Sequence, residues 1–504
     1  MTCEENPSVS MTSTEPAPEP AVQEKKPFCS LSESIFALVF CFTGYFFIKL
    51  FLQNECGIAA SLFLLATLTA SAVLAKLRKA CGSRYSKLYF TLSAVFSLGI
   101  GISSSGTIRF MDFCFAALFF AMWAFALNNP EWQGFGRNTF NSVTEAVCGV
   151  STRNFTACPK AAFSLFRRKS GAKNAGYVVI GLLLSVPVTI IVCVLLVSAD
   201  DGFGDMLEKI TGGISLDGFW TFIFGLPVSF LLFGIVYAAV SAKGKLRTDE
   251  VLFEERSERM RIAPSALICA FTAPLCVVYV LFFFSQLSYF ISAFGGVLPE
   301  KFSASEYARR GFFELCAVAV INLLVIAAIN VFCRRDDGKS AVLKVLTVIF
   351  SVFTLILIAT AESKMFLYIS RFGLTPKRVY TSWFMFILAV VFVLIMISRF
   401  KAFPAAKVGA AVITAAALLL GFCGADGLIA RYDVSLIESG VMTEFPEDIS
   451  ADASLVIAGC TDSENTMLSH AAKNCRNELT DDILRKEWYE RTLSDYIAIG
   501  AFTK

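Results

Sequence analysis

The sequence has one histidine, His470, in 504 residues. A single imidazole cannot build a histidine-rich metal centre. His470 stands beside Ala471 and Ala472 and reads as a surface residue. Charge is scarce too. Asp, Glu, Lys and Arg together make up 17%, against about 25% in soluble domains. The 16 cysteines include no C-x-x-C pair and no zinc-type Cys/His spacing. There is no Walker loop, no G-x-S-x-G and no HExxH. The Gly-Phe-Gly triplets at 134–136 and 202–204 are turn signals. No catalytic motif is present and no cofactor is implied. No clustered basic face with a nucleic-acid-binding fold is found, so nucleic acid is not an expected partner.

Apolar sequence is what the chain has in excess. Hydrophobic residues reach 56%, Phe alone numbers 50, and mean hydropathy is +0.65. Lipid accepts such a surface, whereas water would drive it to aggregate. A helix needs about 20 mainly apolar residues to cross a bilayer. Candidate runs are Ile35–Leu52, Ile58–Ala75, Leu88–Ile102, Phe110–Leu127, Val178–Ser198 and Phe219–Val240. Further candidates are Ala266–Phe290, Phe312–Val331, Val342–Ala361, Trp383–Ile397 and Val408–Leu428. The expected fold is therefore an all-α polytopic transmembrane helix bundle of about eleven spans, with a small C-terminal helical domain outside the bilayer. Cysteines inside these runs, such as Cys41, Cys193 and Cys316, read as small buried hydrophobes.

The expected organisation has four parts. Residues 1–30 read as a disordered cytoplasmic tail, polar and Pro-rich with no signal-peptide pattern. Residues 31–177 hold the first spans and a basic cytoplasmic loop. Residues 178–434 are the second membrane region, and 435–504 an acidic helical domain. Lys and Arg gather in alternate loops, at Lys76–Lys87, Arg137–Lys173, Lys243–Arg261, Arg334–Lys344 and Arg399–Lys407. The positive-inside bias then places the N-terminus in the cytoplasm and the C-terminus outside. The long loop Asn128–Gly176 contains CPKAAFSLFRRKSGAK. Phe163, Leu165 and Phe166 are followed there by Arg167, Arg168 and Lys169. That suits either an interfacial helix on anionic headgroups or an ordinary basic loop.

In the C-terminal domain, Thr461–Glu464 has a capping-box pattern ahead of Met467, Leu468 and Ala471. A second helix is expected from Thr480, with Leu484, Trp488, Leu493, Tyr496 and Ile497 on one face. So small a domain is expected to pack on the membrane part or on a partner. A Cys460–Cys475 disulfide is permitted on the outer side.

Charge at membrane depth is the best pointer to function. Glu306, Arg310 and Glu314 are spaced four apart, with Arg309 alongside, and would form an ion-pair ladder into the eighth span. Glu314, Asn322 and Asn330 recur every eight residues and would form one polar stripe; salt bridging and interhelical glue are the structural alternative. Glu362 and Lys364 end the ninth span and Arg371 follows. The loop after Glu362 is basic although the topology puts it outside. Pairing of Arg371 with Glu362 or Glu314 would account for this, and so would a span count off by one. These runs, SASEYARRGFFEL (303–315), SKMFLYISRFGLTPKRVYTSWFMF (363–386) and DGLIARYDV (426–434), resemble an uncharacterised family of bacterial multi-pass membrane proteins, domain of unknown function 4173. The resemblance spans Val178–Val434 and implies a plasma-membrane protein of unassigned activity.

Three roles fit these features. The first is a secondary transporter or flippase-like carrier, with Glu314 and Glu362 as coupling carboxylates and Arg309, Arg310 or Arg371 as counter-ions. The second is a non-catalytic membrane scaffold. The third is a signal-transducing membrane module. The expected partners are the bilayer, anionic headgroups at the basic inner loops, and a small solute or protein not yet identified. For the topology, alkaline phosphatase fused after Asp201 or at the C-terminus is expected to be active, and fused in the Arg137–Lys173 loop inactive.

Overall fold

A computed structural model describes residues 30–80, 82–129, 132, 134–136, 139–168, 216–240, 258–294, 312–334 and 340–503, with isolated positions between them. The fold is all-α, and among the described residues ten helices are long and apolar enough to cross a membrane. Ten of the eleven expected runs coincide with these helices. The eleventh, Val178–Ser198, lies outside the described residues apart from isolated positions. So do the N-terminal tail and the segment holding Glu306, Arg309 and Arg310.

The first span, Leu31–Gln53, is broken. Helix α1 (Leu31–Phe40) ends at a turn, and α2 (Thr43–Ile48) resumes and runs into a π-helical turn at Lys49–Gln53. Next come α3 (Ile58–Leu77), α4 (Arg84–Ile102) and α5 (Gly106–Asn128). Three short helices follow: α6 (Thr139–Thr144), α7 (Val150–Arg153) and α8 (Ala157–Arg168), with a π-helical turn at Glu145–Gly149 between the first two. The remaining long helices are α9 (Leu216–Val240), α10 (Ser265–Phe294), α11 (Phe312–Phe332), α12 (Ser340–Phe372), α13 (Pro376–Phe400) and α14 (Ala405–Phe422).

Two larger apolar cores form among the described membrane helices. The first joins α1, α3–α5, α8 and α9 around stacked rings, with Phe96 4.9 Å from Phe115 and Tyr89 5.8 Å from Phe119. The second joins α10–α13 around Phe312, Phe350 and Phe392. Helix α14 touches both α5 and α13 and so ties the two cores together.

Helices α2 and α9 approach backbone to backbone. A Cβ on Gly44 would run into the Gly225 carbonyl, and one on Gly225 would lie 2.5 Å from the Gly44 carbonyl carbon. Small residues of this kind let membrane helices pack closely. One turn along α9, the Ser229 hydroxyl accepts from Gly44 N–H at 2.8 Å and donates to Cys41 O at 3.1 Å. Thr43 Oγ1 donates to Phe40 O at 2.7 Å. The groups freed by the break are thus answered by side chains.

The last span is shorter than expected. It stops at Phe422, and Gly424 takes a left-handed φ of 65°. That turn starts the amphipathic helix α15 (Ala425–Glu438), which carries the DGLIARYDV run. Helices α16 (Ser454–Cys460), α17 (Thr466–Arg485) and α18 (Leu493–Phe502) complete the C-terminal domain. Three expectations there are corrected. The cap of α17 is Asn465, whose side chain accepts from Met467 N–H and Leu468 N–H, while Thr461 closes the preceding helix. Thr480 lies inside α17, which ends at Arg485. Leu484 and Trp488 therefore share no helix with Leu493, Tyr496 and Ile497, and all five are exposed. Cys460 and Cys475 are free thiols.

The domain does pack on the membrane part. Arg491 O and Tyr489 O accept from Ile58 N–H and Ala59 N–H, at 3.0 and 3.2 Å. These are two of the donors that every helix start leaves over. Substituting Ser229 with Ala is expected to cost about 1–2 kcal/mol through the two lost hydrogen bonds. Gly225→Val, which forces α2 and α9 apart, should cost more. Thermal unfolding midpoints of the detergent-solubilised protein check the order.

Candidate functional site

The loop expected on the inner surface instead turns into the bundle. Residues 139–168 form a helical hairpin packed against α1, α5 and α9. Its tip reaches deep. Gly234 of α9 lies so close that a Cβ there would sit 3.0 Å from Ser151 O and 3.2 Å from Asn154 O. The Phe155 ring lies 5.4 Å from Phe230. Phe230 is ten residues from the end of α9, about 15 Å at 1.5 Å per residue. On the first span, Cys158 Sγ is 3.8 Å from Cys41 Sγ, and Cys41 is likewise about 15 Å from Leu31. Both measures put the tip level with the middle of the first span and of α9, with Thr152, Arg153 and Thr156 on its exposed side.

The sequence explains why this is possible. Most of the hairpin's buried positions are small, with Ala146, Ser151, Ala157, Cys158, Ala161 and Ala162 inside, although Glu145, Val150 and Asn154 are buried too. Phe163 is only half-buried, and the side chains of Leu165 and Phe166 lie outside the described residues. Its one strong internal charge pair is Glu145 with Arg153, and the Glu145 side chain is buried. Ser164 Oγ and Ser34 Oγ hydrogen-bond at 2.7 Å, pinning the outgoing arm to α1. The break in the first span and the hairpin tip thus meet at one level. The C-terminal end of α1 and the N-terminal ends of α2 and α8 gather there with Ser229. Helix ends carry partial charges of opposite sign, so this level is polar although it has few charged side chains.

A second polar layer joins the C-terminal domain to the bundle. Asp452 accepts from Ser103 Oγ at 2.6 Å and from Ser104 N–H at 3.0 Å. Ser105 Oγ and Tyr380 Oη hydrogen-bond at 2.8 Å, and Tyr380 donates on to Asp426 at 3.1 Å. Asp426 also accepts from Ser450 N–H at 3.0 Å. Burial pushes the Asp426 carboxyl above the usual carboxylate range. Its bonds to Ser450 and Tyr380 pull it back, and the Asp452 charge adds to the rise. Nearby, Asp433 accepts from Leu374 N–H at 2.8 Å.

The candidates taken from the sequence fare unevenly. Asn322 is fully buried, where it accepts from Tyr279 Oη and donates to Thr354 Oγ1 at 2.9 Å. Glu314 and Asn330 are exposed. An eight-residue step overshoots two helical turns by about 80°, so the expected stripe winds around α11. Asn330 instead receives Arg399 Nη2 at 2.8 Å. Lys364 is buried within electrostatic reach of Glu314. Glu362 faces Ser382 and Cys316, yet its Oε1 and the Ser382 hydroxyl complete no ordinary hydrogen bond. Arg371 is exposed and makes no ion pair among the described residues. The expected pairing of Arg371 with Glu362 or Glu314 is therefore not formed.

The basic loop has another solution. Arg378 Nη1 donates to Phe372 O at 2.9 Å, capping α12, and its guanidinium lies 4.1 Å from the Tyr368 ring centre. Lys377 Nζ pairs with Asp448 at 2.7 Å. The acidic domain and a helix C-terminus thus take up Lys377 and Arg378, while Arg371 stays exposed.

Burial pushes the Asp433 carboxyl up to about 6, against the opposing pull of Leu374 N–H and Arg378. A carboxyl held above its ordinary 3.8 binds more protons folded than unfolded. Its contribution to stability is greatest below that ordinary value and is lost as pH rises through about 6. Asp433→Asn keeps an acceptor for Leu374 N–H. It is expected to unfold at a higher temperature than the parent at about pH 7.5 and at the same temperature at about pH 4, as read by scanning fluorimetry.

The profile of a domain of unknown function, DUF4153, matches residues 90–459. The match begins within α4 and ends within α16, so it contains the hairpin, the polar layer and all the sequence candidates. No curated protein and no solved structure matches the chain. The family number expected from the motifs, 4173, is corrected to 4153, and the expectation of an uncharacterised domain stands. This multi-pass membrane protein belongs to the DUF4153 family.

Proposed function

We propose that the protein is a secondary transporter or flippase-like carrier of the bacterial plasma membrane, with its N-terminus in the cytoplasm. The observation that supports this is the meeting of a broken first span with a hairpin tip at mid-membrane depth. Irregular backbone at that depth is tolerated only where protein or a water-filled cavity surrounds it. Carriers place their sites where discontinuous helices end near the midplane. The hairpin contacts α1 largely through small residues such as Cys158 and Ser164, while Phe155 packs on Phe230 of α9. Glu314 no longer supports this role, being exposed. The basic inner loops fit anionic headgroups as stabilising partners.

A scaffold is the second reading. A pocket at α10 and α12 favours it, being lined wholly by apolar or aromatic residues, among them Tyr279, Phe283 and Leu357.

Two native thiols give a direct test. Cys41 and Cys158 lie 3.8 Å apart, sulfur to sulfur. Diamide can oxidise them to a disulfide, accepting the two hydrogens, and so lock the tip to the broken span. Proteoliposomes would be screened with labelled amino acids, sugars and carboxylates, and with a fluorescent phosphatidylethanolamine for lipid movement. A carrier should show flux that falls at least tenfold on oxidation, recovers on reduction, and resists diamide in Cys158→Ala. Flux that persists with the Cys41–Cys158 disulfide formed, or no flux with any probe, favours the scaffold.

A further inference from the structure

Helix α5 carries an acid that nothing around it answers. Asp112 lies inside the span Gly106–Asn128 and is fully buried. Neither of its carboxylate oxygens has a hydrogen-bond partner among the described residues. Two glycines make room for it. A Cβ on Gly99 of α4 would collide with Asp112 Oδ2, and one on Gly421 of α14 would lie 3.2 Å from Oδ1.

Charge is distant on every helix packed here. The charged residues of α4, Arg84 and Lys87, stand at its far end, as does Lys407 on α14. Helix α9 carries only Asp217, in its first turn. Glu145, beside the other end of α5, is paired with Arg153. On α5 itself, Arg109 turns away to Glu55 and to the Cys56 carbonyl. An unpaired ionised carboxylate at this depth costs several kcal/mol, and such residues are rare and by default functional.

The surroundings also supply a route. Seven residues, nearly two full turns, separate Asp112 from Ser105, so both lie on one face of α5 about 10 Å apart. Ser105 belongs to the chain of hydrogen bonds running through Tyr380 to Asp426. Between Ser105 and Asp112, on the same face, stands Ile108, 1% exposed. It is packed with Leu420 and Ala425, and Tyr380 and Trp383 lie against them.

We infer that Asp112 is a proton-binding site inside the bundle, closed off from the Tyr380–Asp426 layer by the apolar plug of Ile108 and Leu420. A proton from solvent, handed on through Tyr380 and Asp426, forms the O–H bond on Asp112 when the plug parts. The same bond breaks when the proton returns. This inference rests on the geometry of Asp112 and stands whether or not a solute moves, so the flux experiment and the one below fail separately.

Infrared spectra of the full chain in phosphatidylcholine vesicles test it. A buried protonated carboxyl gives a C=O band distinct from that of ionised carboxylates. Asp112→Asn, which keeps the shape, should delete one such band. On transfer to D2O, the parent's band should shift slowly, and at least tenfold faster in Ile108→Ser. Leu420→Ser opens the plug from the other helix and should act likewise. If Asp112→Asn retains every carboxyl band of the parent, Asp112 holds no proton and the inference falls. If both plug variants exchange at the parent's rate, the route through Ile108 is wrong.

Discussion

In the hydrocarbon interior a peptide N–H or C=O has no water to turn to, so each must be answered within the protein. Much of this structure follows from that constraint. The first span is broken, and its break survives because Ser229 and Thr43 supply the missing partners. A hairpin can enter from one side only because α1, α5 and α9 surround it. Glycines at 44, 225 and 234 bring backbone against backbone at these irregular stretches.

The same demand shapes the junction with the C-terminal domain. Three successive serines at the turn between α4 and α5 would otherwise present a bare polar loop. Asp452 and Tyr380 take them up, and Asp426 extends the network to Ser450. Lys377 and Arg378 are held by the domain and by a helix end. Their positive charge therefore belongs to a folded contact and carries no topological signal. A count of basic residues in loops works when those residues meet headgroups. It misleads when a neighbouring domain supplies the counter-charge.

The long spans were legible because length and hydropathy state their own purpose. Of the eleven runs read from the sequence, all those within the described residues became helices of spanning length. The hairpin was not legible in that way. Its two arms are too short to span, and Arg153 and Asn154 at the turn resemble a water-facing loop. The available signal was the recurrence of small residues on its inward side, such as Ala146, Ser151, Ala157, Cys158 and Ala161, which suits close packing better than a headgroup surface. The polar stripe on α11 failed for a geometric reason, since eight-residue steps drift around a helix. Asp112 is not legible in the sequence, because one acid in an apolar run has no partner there. Its meaning lies in Gly99 and Gly421, which come from two other helices. The Asp452 junction joins residues nearly the whole chain apart, and no local pattern announces it.

The backbone contacts of Arg491 and Tyr489 with the start of α3 have a bearing on how the protein is made. The second span enters the membrane early in synthesis, yet the carbonyls that complete its first turn come from the far end of the chain. Until the ribosome has released the last residues, Ile58 and Ala59 depend on interfacial water. Closure of that turn therefore waits for residues 489–491. A chain cut short before Tyr489 leaves the first turn of an early helix without these two acceptors.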